Sequence, residues 1–284
     1  MRVFSIAVTR NEADVIAANL LDALRWSEAI FVMDNGSTDG TWEIVQALSA
    51  EHPGIVAWKQ WDTPFLNGLR GHVFNAFRHR ARPGDWWCFR LDSDEFHVGD
   101  PRTVLARVPR WHHVVCKDSI EYRLTEEDLA EHAFTGRFEE DRDKIRYYLP
   151  KTYVEVRFFR HRDRLVWDER MPFPTHMGII AEERVQVRHY KFRGPQQMLQ
   201  RVQARKQVIE DASRLHGADH PGIARWAHIP ADALNDRGVP HKRAELWYDD
   251  GTVPIPNAGP MNNPRNRWYA RLVMRIMHGL GIWP

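Results

Sequence analysis

The chain has 284 residues, 43% of them hydrophobic and 27% charged, with 40 basic against 38 acidic side chains. That is enough for one large globular domain, or one domain with appended elements, and a net charge of +2 makes no demand for a nucleic-acid partner. No apolar run approaches the roughly 20 residues needed to cross a bilayer, and residues 3–8 are followed too soon by Arg10 and Glu12 to act as a secretory signal, so a cytoplasmic protein is expected.

Residues 3–8, Val-Phe-Ser-Ile-Ala-Val, read as a buried strand. Asn11 and Glu12 open a helical pattern that carries Val15, Ile16, Leu20, Leu21 and Leu24. A second strand at 29–33 breaks off in the turn-rich cluster 34–40, where residues 37–39 can cap a helix bearing Trp42, Ile44, Val45 and Leu48. A strand fits 54–59, a helix 71–80 and a strand 86–91. Cys88 and Cys116 lie in apolar runs and read as buried thiols. Alternating strands and helices over the first 90 or so residues predict an α/β domain with a mainly parallel sheet. Ligands of such sheets bind beyond the carboxyl ends of the strands. The polar clusters 9–12, 34–39 and 92–95 all fall at such ends.

After Pro101 the pattern changes to strand-like runs at 114–115, 154–159 and 185–190 among charged and aromatic segments. A long helix is expected over 195–215, with Met198, Val202, Ile209 and Ala212 on one face, and residues 216–264 read as an irregular surface excursion. The organisation expected is an alternating α/β half at 1–100, a less regular half at 101–215 and an extension at 216–284.

Chemistry concentrates in the clusters at the strand ends. Residues 91–96, Leu-Asp-Ser-Asp-Glu-Phe, close an apolar strand with three carboxylates in four residues. That grouping is unfavourable unless a cation or polar ligand holds it, and hard divalent ions bridge such carboxylates to substrate phosphates. A solvated acidic turn is the bland alternative. Residues 34–41, Asp-Asn-Gly-Ser-Thr-Asp-Gly-Thr, expose backbone N–H groups and short side-chain oxygens suited to a nucleoside. A helix cap explains residues 37–41 but not Asp34. Asn11 can equally be a simple cap.

As a set, residues 8–12, 32–41 and 91–95 resemble, in order and spacing, the inverting glycosyltransferases of family two with the GT-A fold. The resemblance is close over about the first 100 residues and looser beyond. It implies a Rossmann-like GT-A domain, a nucleoside diphosphate sugar as donor and Mn²⁺ or Mg²⁺ as cofactor. By the same resemblance Thr9, Arg10, Glu12, Asp34, Asn35 and Ser37 line the nucleoside pocket, and Asp92, Ser93 and Asp94 manage ribose, diphosphate and metal. Arg70 falls where relatives place a basic residue near the diphosphate; a surface charge is the alternative. The second half resembles a branch in which a strand ends in histidine. There His189 is an additional metal ligand, with Lys191 and Arg193 balancing diphosphate charge.

An inverting transfer needs a base for the acceptor hydroxyl. Asp168 and Glu169 are the first choice because they follow Trp167, an aromatic suited to stacking on a sugar; Asp118, Glu182 and Glu183 are the others. Near the C-terminus Trp268, Leu272, Ile276 and Leu280 recur every four residues beside Arg265, Arg267, Arg271 and Arg275. Such a helix either packs on the domain or lies at the inner face of an anionic membrane, and in the second case a lipid-linked acceptor joins a free glycan as the expected partner. Two rivals share the pattern: a nucleotide-sugar-binding module without turnover, and a metal-dependent nucleotidyltransferase. The latter should carry a Gly-rich basic phosphate loop after its first strand, which this sequence lacks.

Overall fold

Strand β1 (Val3–Thr9) is buried along its whole length, and that burial follows from its place in the sheet. It pairs in parallel with β2 (Ala29–Asp34) on one side and with β4 (Trp86–Cys88) on the other, while β3 (Ile55–Gln60) extends β2, also in parallel. The computed structural model describes residues 1–150, 153–201, 203, 241–251 and 267–282. Helices α1 (Ile16–Leu24), α2 (Thr41–Glu51) and α3 (Leu69–Phe77) connect the four strands. A strand covered on both faces needs apolar side chains on both, which explains the unbroken apolar runs. Alternation sends Phe4, Phe31 and Trp87 into one core with Phe74, and Val3, Val32 and Trp86 into another with Ile16 and Leu20.

Beyond β4 the chain adds β5 (Glu95–His97), β6 (Val114–Arg123), β7 (Tyr147–Tyr148), β8 (Tyr153–Arg160), β9 (Ile180–His189) and β10 (Trp247–Tyr248). β8 lies antiparallel between β4 and β6. β9 runs parallel to β6 and antiparallel to β5, so the sheet curls back on itself and sets Glu95 opposite His189. This return brings the end of β9 beside the segment that follows β4.

Several expected elements shift for physical reasons. The strand expected over 86–91 stops at Cys88. The run at 114–115 is the start of the ten-residue β6, whose later positions Lys117, Asp118, Ser119 and Glu121 are polar yet buried and so carry no apolar signal. β10, inside the stretch read as irregular, pairs with β7. The helix expected over 195–215 is helical at 195–201 and 203; its remainder lies outside the described residues.

α3 is positioned by Leu69, Val73 and Phe74 in the core and by two glycines that lie close against the 167–170 segment. A β-carbon on Gly68 would come within 1.8 Å of the Glu169 carbonyl oxygen, and one on Gly71 would press on the Trp167 ring. Gly68→Ala should therefore destabilise the chain by about 1–3 kcal/mol, the usual cost of overpacking. Gly194→Ala, where nothing lies within 4 Å, serves as the control in urea unfolding.

Candidate donor site

At the ends of β1 and β2 two loops are stitched together. The Asn11 backbone N–H donates to Ser37 Oγ (2.8 Å), and Asn11 Oδ1 accepts from the Thr38 N–H (2.9 Å). Asn11 adopts a positive φ of 54° and does not cap α1, whose N-cap is Val15, so the simple-cap reading fails. Asp34 is fully buried, and its Oδ1 accepts from the Ser37 N–H (2.8 Å) and Gln60 Nε2 (3.2 Å). Asn35 Nδ2 donates to the carbonyls of Trp61 and Thr63 at 2.9 and 2.7 Å. The other oxygens, Asp34 Oδ2 and Asn35 Oδ1, are buried with no hydrogen-bond partner among the described residues. Two orphan acceptors side by side in sequence are costly unless a ligand supplies N–H or O–H donors.

The carboxylates after β4 divide between two environments. Asp92 receives Arg70 (3.0 Å) and Arg90 (2.9 Å), with Arg157 at 3.6 Å. Burial opposes its charge, but Arg90, Arg157 and Arg70 outweigh burial and hold its carboxyl well below the usual carboxylate range. Arg70 is itself buried, which excludes the surface-charge reading. Glu95 points into the interior, where it meets Lys117 and Arg157, the latter at 2.7 Å.

Asp94 faces the returning strand. Its Oδ2 lies 3.2 Å from His189 Nε2 and 2.9 Å from Arg201 Nη1, and His189 Nδ1 is 2.8 Å from Glu121. Burial disfavours charge on His189, yet Asp94 and Glu121 prevail and raise the imidazole to about 9. Arg193 is buried and bonds Glu12 (2.5 Å) and Asp14 (2.6 Å), while Thr9 Oγ1 and Ser93 Oγ lie 3.2 Å apart. The ends of β1, β4 and β9 thus form one charged network. Lys191 sits beside it with its ammonium over the Phe192 ring, and Arg10 lies half-buried on the β1 loop.

Among the described residues no three His, Cys, Asp or Glu side chains gather as a group that could hold a metal ion. Asp94 and His189 could offer a carboxylate oxygen and an imidazole nitrogen to one ion once the imidazole gives up the proton that Asp94 and Glu121 favour. With diphosphate oxygens and water completing the shell, such a pair would suit Mn²⁺ better than Mg²⁺, which prefers oxygen ligands throughout. Asp92, expected as a partner in this role, is directed at arginines instead.

The structure changes the picture of the base. Trp167 is buried in the aromatic core and its Nε1 donates to the Met171 carbonyl, so it does not present a face to a sugar. Asp168 is held by Arg170 (2.7 Å), whose hydrogen bonds pull its carboxyl down to about 2. Glu169 bonds Asn75 Nδ2 (3.0 Å) and His72 Nδ1 (2.9 Å) on α3, the helix that carries Arg70 to Asp92. Asp118 is bound to Arg184, and Glu182 and Glu183 sit near the start of β9, at the opposite end of that strand from His189.

Residues that sequence reasoning passed over include Arg90, Lys117, Glu121, Arg157 and Arg201. The signal for Arg157 was a charge inside the otherwise apolar run 156–159, three strands away from the carboxylates it neutralises in sequence but adjacent in the sheet. Arg188 and Tyr190, which alternate with His189, line a separate cavity of about 580 Å³. Its arginines are matched by aspartates, with Arg102 on Asp100, Arg25 on Asp22 and Arg188 near Asp249.

An α/β sheet with carboxylates, arginines and orphan acceptors at its strand ends presents its polar groups where such sheets bind ligands. The chain belongs to glycosyl transferase family 2, whose profile matches residues 5–178, more than half its length. It is accordingly a nucleotide-sugar glycosyltransferase with the GT-A fold, and the nucleotidyltransferase alternative falls. Among solved structures, the mannosyltransferase PcManGT from Pyrobaculum calidifontis in complex with GDP-Man and Mn²⁺ aligns at 17% identity and a TM-score of 0.37, covering 84% of this chain and 69% of that one. No characterised protein sequence gives a match. Among the described residues no helix is long and apolar enough to cross a membrane.

Proposed function

We propose that the chain transfers a sugar, with inversion, from a nucleoside diphosphate sugar to a hydroxyl of a glycan or lipid-linked acceptor, assisted by a divalent ion at Asp94 and His189. The observation that carries this reading is the Asp94–His189 pair, 3.2 Å apart, at the same edge of the sheet as Asp34, the register neighbour of Thr9, with its unpaired buried oxygen. Asp34 and Asn35 would take N–H groups of the base, with Glu12, Thr9, Arg10 and Ser37 around the nucleoside. Bound there, the ion supplies positive charge to the departing diphosphate. Arg70, Arg193 and Lys191 add fixed positive charge on the same side, already oriented by Asp92, Glu12 and Asp14. Glu169, braced by His72 and Asn75, is the base we assign to the acceptor hydroxyl, in preference to Asp168, which Arg170 occupies.

The test is thermal stabilisation by UDP, GDP, TDP and CDP, each with and without Mn²⁺. One nucleotide should stabilise the protein, and more so with the metal. Asp34→Ala should weaken that nucleotide roughly 10- to 100-fold, the value of a hydrogen bond to a charged acceptor. An unchanged affinity in the variant would remove Asp34 from the nucleoside pocket, and silence from all four nucleotides would overturn the donor-site reading.

A further inference from the structure

Among the described residues, the helix Trp268–Gly279 meets the rest of the chain through Arg271, Met274, Arg275 and His278. Met274 is its buried residue, and His278 stacks on His113 with ring centroids 4.9 Å apart and Nε2 atoms 2.7 Å apart. Arg271 pairs with Glu182, and the Arg275 guanidinium lies 5.3 Å from the centre of the Trp111 ring. At about 100° per residue, Met274, His278 and Arg271 share one side of the helix. Trp268, Tyr269, Leu272, Val273, Ile276 and Leu280 occupy the side roughly 180° away.

All six are exposed, Trp268 to 76% and Leu280 to 66%. An amphipathic helix resting on a domain normally turns its apolar stripe inward, and this one turns it out. A contiguous exposed stripe of that kind marks an interaction surface. Its surroundings say with what. Arg271 is matched by Glu182, but residues 267–282 hold no acidic residue, Arg267 and Arg275 are exposed, and the exposed Arg107 and Arg110 lie in the segment leading to Trp111, on which Arg275 rests. A second copy docked here about a two-fold axis would bring those same arginines against one another. An anionic lipid surface complements them, and Trp and Tyr at the start of the helix suit its interfacial layer.

We propose that this helix lies in the interface of an anionic bilayer, apolar stripe downward, with the catalytic domain docked on its opposite side. The inference does not depend on the identity of donor or acceptor. The full-length chain should co-sediment with vesicles of equal parts phosphatidylglycerol and phosphatidylcholine, and far less with phosphatidylcholine alone. The double variant Leu272→Ser, Ile276→Ser should bind the anionic vesicles more than tenfold more weakly while unfolding at the same temperature, because both side chains are exposed. Failure of the wild-type chain to bind would overturn the proposal, as would equal binding by the variant. So would a lipid-free dimer in sedimentation velocity that the same substitutions dissolve, since that would identify a second copy as the occupant.

Discussion

Asp94→Ala is expected to lower sugar transfer by about 10³-fold, the scale on which a catalytic ion contributes several kcal/mol to the transition state. The fold should survive the change. His189 retains Glu121, Arg193 retains Glu12 and Asp14, and Arg201 keeps Glu12 within 3.8 Å, so removing the carboxylate strands no cation without an acid. This distinguishes a lost catalytic contact from a collapsed site. The readouts are transfer at saturating Mn²⁺ and the metal-dependent part of nucleotide stabilisation, and both should disappear together. Transfer at the wild-type rate would take the metal away from Asp94.

Arg157→Ala should produce the largest loss of stability of any single change at the site, about 3–5 kcal/mol. Its side chain is 1% exposed and reaches Glu95 at 2.7 Å, with Asp92 at 3.6 Å and the Arg90 carbonyl also in contact. Truncation would leave Glu95 buried with Lys117 as its remaining cation. Whole-domain stabilities are about 5–15 kcal/mol, so the variant should unfold at much lower urea. Pairing it with Glu95→Gln should recover part of the loss, because the carboxylate that needed a second cation is then gone and Lys117 still has Glu155 at 3.3 Å. Additive effects of the two substitutions would show that the pair is not coupled.

The N-terminal half was legible because β1, β2 and β4 are buried on both faces and therefore largely apolar, while the loops at their ends are short, polar and abrupt. Asp34, Asp92 and Asp94 announced themselves as charges where an apolar strand stops. The role of Asn11 was ambiguous, since an asparagine before a helix looks the same whether it caps the helix or, as here, holds a neighbouring loop. Beyond Pro101 the reading thinned. β6 buries Lys117, Asp118 and Glu121, and those charges are tolerable only because Glu95, Arg184 and His189 come to them from distant positions in the chain. Local patterns do not reveal such pairs. Trp167 misled for a related reason: a tryptophan beside two acids resembles a sugar platform, yet its ring fills the space against Gly71 and Phe74.

β6 and β9 run side by side in the same direction, and this pairing sets a distance. His113, on which the C-terminal helix is seated, immediately precedes β6, and Glu121, which holds His189, comes eight residues later. At ~3.3 Å per residue that is about 26 Å of strand. The two strands form a strut with the C-terminal helix at its foot and the Asp94–His189 pair at its head. If the helix lies on a bilayer as proposed and the strut stands upright on it, an acceptor anchored in that bilayer would have to carry its hydroxyl up that height. Short anchored glycans would then fall below the site while longer ones reached it, and the enzyme would measure its acceptor as a ruler does.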